Sequence, residues 1–215
     1  MIDIVLGIIL ICFIFKGVRR GIIRSVYHTL NVLIAAFCAF GVYPALGLLL
    51  TRTPLKDFFS KVGYENSVKF ADKNMAVEEY IKNFDKMFTR GAATLETTDE
   101  VIKVITNNMG SMVCKAAAYL LVFIFLIFVA NYILNRVKLL NKPMKMPNIV
   151  RKVGGGCFGA LRGIVILSVV YAVVEVVAPI LDNSFLNWMN QSRLDGIFVF
   201  KDVIIDVLSR ITYYN

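Results

Sequence analysis

Four long apolar runs dominate this chain: Ile2 to Phe15, Ile22 to Leu50, Ala116 to Leu134 and Ile164 to Leu181. A bilayer core is about 30 Å thick, and a helix needs ~20 apolar residues to cross it. The chain has 215 residues, of which 58% are hydrophobic, and its mean hydropathy is +0.68. That excess sits in the four runs, which is the pattern of a polytopic membrane protein.

The net charge of +9 would suit a nucleic-acid binder, but its placement argues for a membrane. Lys16, Arg19, Arg20 and Arg24 flank the first short connection, and Arg136, Lys138, Lys142, Lys145, Arg151 and Lys152 crowd the second, which has no acid. The long segment from Thr51 to Met112 is neutral, with nine basic and nine acidic residues. Basic residues confined to short connections mark the cytoplasmic side. Both connections are therefore expected inside, with the two termini and the long segment outside. No motif or aromatic pattern supports nucleic acid. The start lacks a basic region ahead of its apolar run, so it reads as a retained first span.

The expected architecture is all-α: four transmembrane helices as two hairpins, with outer amphipathic helices and an amphipathic C-terminal tail helix. Residues 1–50 form the first hairpin, 51–112 an extracytoplasmic helical loop, 113–181 the second hairpin and 182–215 the outer tail. The first run is short, since fourteen residues reach only about 21 Å. Gly41 and Pro44 predict a bend or an end in the second run. Thr53 to Val62 and Asn66 to Thr89 have helical spacing, with Val68, Ala71, Met75, Tyr80, Phe84 and Phe88 as apolar positions. Thr97-Thr98-Asp99-Glu100 predicts a helix start. In the tail, Phe200, Val203, Ile204, Val207, Leu208 and Ile211 form one stripe. That stripe fits the membrane interface, anchored by Trp188, Tyr213 and Tyr214, or a surface of the outer loop helices.

One phrase occurs twice: Gly17-Val18-Arg19-Arg20-Gly21-Ile22-Ile23 and Gly159-Ala160-Leu161-Arg162-Gly163-Ile164-Val165. Aligned, the copies put Arg20 and Arg162 as anchors at the inner interface and Glu175 level with Leu33. Gly155, Gly159 and Gly163 make a small-residue ladder, and Gly17 and Gly21 repeat its spacing. Such ladders serve close helix packing within a chain or between copies of it.

Arg20, Arg24, His28 and Asn31 fall at spacings of four, four and three, one face of a helix. Asn31 lies about 14 Å past Ile22, near the midplane. These groups read either as hydrogen-bonding contacts between spans or as the lining of a conduit. Glu175, deep in the fourth run, has His28 or Lys115 as candidate partners, and we expect His28.

Enzyme signals are absent from the sequence. One histidine excludes a His-based metal cluster. Gly154-Gly155-Gly156 leads into Cys157 and Phe158 rather than Lys-Ser/Thr, so it is no phosphate loop. Cys12, Cys38, Cys114 and Cys157 lie in or beside apolar runs and read as packing residues. No catalytic residue, metal, cofactor or small-molecule substrate is implied. The expected partners are the lipid bilayer and either further copies of the chain or other membrane proteins.

Val153 to Val165, reading VGGGCFGALRGIV, resembles the glycine-rich motif of the colicin V production protein (CvpA) family. Asp3 at the start of the first run is similar too, as is Arg20-Gly21-Ile22-Ile23-Arg24, where Ile22 replaces an aromatic residue. The resemblance implies a multi-pass protein of the bacterial inner membrane, N-out and C-out on the charge pattern. It further implies support of colicin V or toxin production or secretion and of envelope homeostasis, and it carries over no catalytic residue; with enzyme signals absent, a non-enzymatic protein is expected. The rival reading is a small oligomeric channel or transporter lined by Arg24, His28 and Asn31.

Overall fold

The computed structural model describes residues 2–70, 88–89, 97–136, 147–181 and 199–210. The described residues form six helices: α1 (Ile2–Arg20), α2 (Ile22–Thr51), α3 (Pro54–Phe70), α4 (Thr98–Arg136), α5 (Asn148–Leu181) and α6 (Val199–Arg210).

A single residue, Gly21, joins α1 to α2. Its φ of 78° and ψ of 167° lie in a region that is essentially closed to side chains. Its N–H donates to the Gly17 carbonyl at 3.1 Å, and its own carbonyl accepts from Ser25 N–H at 3.0 Å. The chain thus reverses without leaving helical hydrogen bonding for more than one residue.

The buried face of α2 is Ser25, Thr29, Val32, Ala35, Ala39, Tyr43 and Gly47. Steps of three and four place them on one stripe. That stripe packs on α4 and α5. The end expected at Pro44 does not occur, because α2 runs on to Thr51. Thirty residues span about 45 Å, and Pro44 lies in the last third of the helix.

α4 begins directly after Thr97, as the Thr97–Glu100 sequence predicts, and continues for 39 residues, about 58 Å. That is nearly twice the thickness of a bilayer core. The boundary expected at Met112 falls inside this continuous helix. Its first half buries Val101, Ile102, Ile105, Met109 and Met112 and packs on α3. Its second half brings Tyr119 against Phe40, Tyr43 and Phe123.

α5 is the central element. One stripe, Val165, Val169, Ala172, Val176 and Ile180, joins the main core with α2 and α4. A second stripe, Leu167, Tyr171 and Ala178, packs with Leu6 and Leu10 of α1. The intimate pairs are therefore α1 with α5 and α2 with α4, whereas α1 and α2 scarcely touch. Helices adjacent in sequence are not the ones that pack best, which departs from two self-contained hairpins.

Three helices are long and apolar enough to cross a membrane: Ile22–Thr51, Asp99–Ile133 and Asn148–Ala178. Four were expected. α1 is not among the three, and its apolar run ends at Phe15, ahead of Lys16, Arg19 and Arg20. The exterior of these helices is greasy: Phe37 is 65%, Phe125 64% and Phe128 71% exposed. Soluble monomers rarely expose large continuous apolar patches, so this band faces lipid.

α6 lies on α5, with lesser contact to α4. Ile204 is buried and Val203 half exposed. The Tyr43 hydroxyl donates to the Val207 carbonyl at 3.3 Å. Among the described residues the tail stripe thus docks chiefly on α5. Phe200, Leu208 and Ile211 fall outside the described side chains, as do Trp188, Tyr213 and Tyr214. Val68, Ala71, Met75, Tyr80 and Phe84 do so as well, while Phe88 is buried. Of the cysteines, only Cys114 is buried; Cys12, Cys38 and Cys157 are exposed on the helix surfaces.

Candidate functional site

Polar groups collect at the end of the bundle where α1 turns into α2. The register is set by two hydrogen bonds between α2 and α5. Ser25 Oγ donates to the Gly155 carbonyl at 3.0 Å. Thr29 Oγ1 donates to the Phe158 carbonyl at 2.8 Å and to the Ser25 carbonyl at 2.9 Å. α2 and α5 therefore run parallel, with Ser25 level with Gly155.

α1 reaches the same level antiparallel to α5. A Cβ on Gly17 would strike the Gly155 oxygen and stand 2.9 Å from the Gly159 Cα. A Cβ on Gly159 would stand 2.6 Å from the Phe13 carbonyl oxygen, and one on Gly163 3.1 Å from Leu10 and Phe13 carbons. Gly155 approaches both Gly17 and Gly21. All five ladder glycines meet within one chain, on the α1–α5 face and at the Gly21 turn beside it.

This register corrects the depth inferred from the repeat. The first glycines of the two copies, Gly17 and Gly159, touch each other. On antiparallel helices, Arg20 then lies three residues to one side of that contact and Arg162 three to the other. Arg162 thus stands roughly 10 Å deeper than Arg20 along the bundle. Its long side chain points back towards the α5 N-terminus, as side chains on helices do.

The result is a cavity of about 380 Å³ lined by Lys16, Arg20, Arg24, His28, Asn131 and Arg162. Four of the six are cations, and none is a carboxylate. Arg20 closes α1 and Arg24 belongs to α2, so the expected single face from Arg20 to Asn31 is in fact two helices converging across Gly21. His28 Nδ1 and the Asn131 side-chain amide are hydrogen-bonded at 3.0 Å. Arg162 Nε is buried without a hydrogen-bond partner. Asn31 is not in the lining, and its Nδ2 is buried without a partner.

Glu175 is far from this cavity. By the α2–α5 register it lies near the level of Ala45, at the opposite end, not level with Leu33. The expected Glu175–His28 pair does not form. Lys201 of α6 approaches the carboxylate at 3.6 Å and also lies 5.0 Å above the Tyr171 ring.

Sequence reasoning missed Lys16, Asn131, Ser25, Thr29 and Lys201. Lys16 precedes Arg20 by four residues, and Ser25 precedes Thr29 by four. Both spacings were legible. Asn131 and Lys201 are brought in by elements distant in sequence, so no local signal marks them. Among the described residues no cluster of three or more His, Cys, Asp or Glu side chains is assembled.

The N-terminal segment is similar to a known family. Residues 2–72 match the colicin V production protein family. The match covers α1, α2 and α3, including Gly17 to Arg24. It ends well before Val153–Val165, so that stretch stands as a motif resemblance to the colicin V production protein family. No curated protein and no solved structure matches the chain.

Proposed function

We propose that this chain is a non-enzymatic protein of the bacterial inner membrane that supports colicin V or other toxin production or secretion and envelope homeostasis. The observation that carries the reading is the family match over residues 2–72, joined to a helical bundle with an apolar exterior. α1 serves as a fourth span. Its exposed residues include Ile4, Val5, Ile8, Ile11 and Phe15, a surface suited to lipid, and the bilayer thins or the helix tilts to admit its short run. The basic end of the bundle faces the cytoplasm, which makes the chain N-out and C-out.

Two experiments test this. Deleting the gene from a colicin V-producing strain should lower the colicin titre in the medium, with recovery on complementation; an unchanged titre overturns the role. In a background without native cysteines, Cys introduced at Ser67 and Ser192 should label from outside intact cells. Labelling only after lysis reverses the orientation.

The second reading is a small oligomeric channel or transporter lined by the polar face of α2. It is favoured by Arg24 and His28 sharing a cavity and by the unsatisfied Asn31 amide. Ion flux in liposomes that His28→Ala and Asn31→Ala abolish supports it, and absence of flux removes it. Because the glycine ladder is occupied by α1, contacts with further copies or other membrane proteins would use other faces.

A further inference from the structure

We propose that the basic cavity is a binding site for a phosphate group, and that its occupant is the headgroup of an anionic phospholipid. The inference rests on the membrane reading above. Lys16 and Arg20 reach the cavity from α1, Arg24 from α2 and Arg162 from α5, with His28 and Asn131 completing the wall. Four cations held around ~380 Å³ with no carboxylate in the lining repel one another, and partial burial weakens the screening that water would supply. An anion removes that cost.

The chemistry fits phosphate in particular. Guanidinium groups present paired N–H donors that match phosphate oxygens. Arg162 Nε, buried and without a partner, belongs to the deepest cation of the site. Asn131 and the imidazole add neutral hydrogen-bonding capacity, so phosphate oxygens can be met by more than charge. The volume lies at the small end of ligand sites, right for a headgroup and too small for a folded partner. The position also fits: the cavity opens between helices at the basic end of a lipid-facing bundle, where basic pockets meet anionic headgroups.

The occupant could be drawn from the bilayer or from solution, and the test separates these. Purified protein is reconstituted in nanodiscs of phosphatidylcholine alone or with phosphatidylglycerol, and thermal stability and co-purified lipid (by native mass spectrometry) are measured. Entry into discs checks the membrane reading independently. Phosphatidylglycerol should raise the melting temperature and be retained, and Arg162→Gln should weaken retention at least tenfold. Arg162→Lys keeps the charge but loses the fork and should fall between. Arg19→Gln, outside the lining, should behave as wild type. Inorganic phosphate added to phosphatidylcholine discs forms the second arm. A shift there that Arg162→Gln removes, with no lipid retention, keeps the phosphate site but overturns the lipid as occupant. Equal retention by wild type and Arg162→Gln, or no response to either phosphate source, overturns the site.

Discussion

Replacing Gly155 by alanine tests the α1–α5 contact on which the rest of the site depends. The added Cβ would stand 2.5 Å from the Gly17 oxygen and 3.0 Å from the Gly21 carbonyl carbon. Comfortable non-bonded separation is about 3.5 Å or more, so the helices must part by about 1 Å at this level. Both obstructing atoms are backbone and cannot rotate away. A gap of 0.5–1 Å forfeits about a quarter to a half of each contact's attraction. A few tens of atom pairs, at ~0.1–0.2 kcal/mol each, make the interface worth roughly 4 kcal/mol. Its loosening therefore costs about 1–2 kcal/mol, and the residual overlap adds a penalty within the ~1–3 kcal/mol seen for overpacking. Alanine returns up to about 1 kcal/mol in helix propensity, which leaves a net loss of about 1–4 kcal/mol. Gly41→Ala is the internal control, since nothing lies within 4 Å of a Cβ there. It should be neutral or more stable by up to about 1 kcal/mol. Denaturing-detergent titration in micelles measures both. A Gly155→Ala variant as stable as Gly41→Ala would refute the close approach of α1 and α5.

Three further substitutions probe the same frame. Gly21→Ala should destabilise by at least ~1 kcal/mol in the same titration, because a side chain is strained at this positive φ and its Cβ meets the Arg151 side chain at 3.0 Å; an unchanged midpoint would mean the turn is built differently. Thr29→Val removes the hydroxyl bonded to the Phe158 carbonyl while keeping the shape, and should cost about 0.6 kcal/mol, the usual worth of a hydrogen bond between membrane helices; a loss above ~2 kcal/mol would point to a different role for Thr29. Lys201→Met should cost about 3 kcal/mol, at the lower edge of the range for a broken buried pair because Glu175 keeps some water contact. Adding Glu175→Gln should then recover part of that loss, and strictly additive losses would show that the two side chains do not interact.

The helical class, the apolar runs and the clustering of charge at one end were all legible, because each is a property of residues close in sequence. Apolar spacing and basic flanks report what a helix is and which end carries its charge. They do not report which helix packs on which, since lipid-facing and helix-facing surfaces are equally apolar. Small polar and small apolar residues make that choice instead. Ser25 and Thr29 fix the register of α2 against α5, and Gly17, Gly155 and Gly159 fix that of α1. The expected His28–Glu175 pair fails for the same reason, because its depth was taken from aligning two copies of a phrase rather than from contacts between them.

The duplicated phrase itself has a different physical meaning from the one its repetition suggests. Equivalent positions in repeated hairpins would share a depth and face similar surroundings. Here the leading glycine of one copy packs on the leading glycine of the other, on antiparallel helices, so the copies are the two sides of one contact. That arrangement requires glycine on both sides, because a Cβ on either would meet backbone. It also carries the arginine that follows each glycine in opposite directions along the bundle, one to its edge and one about two turns deeper. Both side chains still reach the same cavity, since the deeper one extends back towards the basic end. The cation cluster is therefore a consequence of the glycine contact. Loosening that contact should disturb phosphate binding as well as stability, so Gly155→Ala is expected to weaken phosphatidylglycerol retention although it alters no charge. Full retention in that variant would separate the two features and show that the cavity is held by α2, α4 and α5 alone.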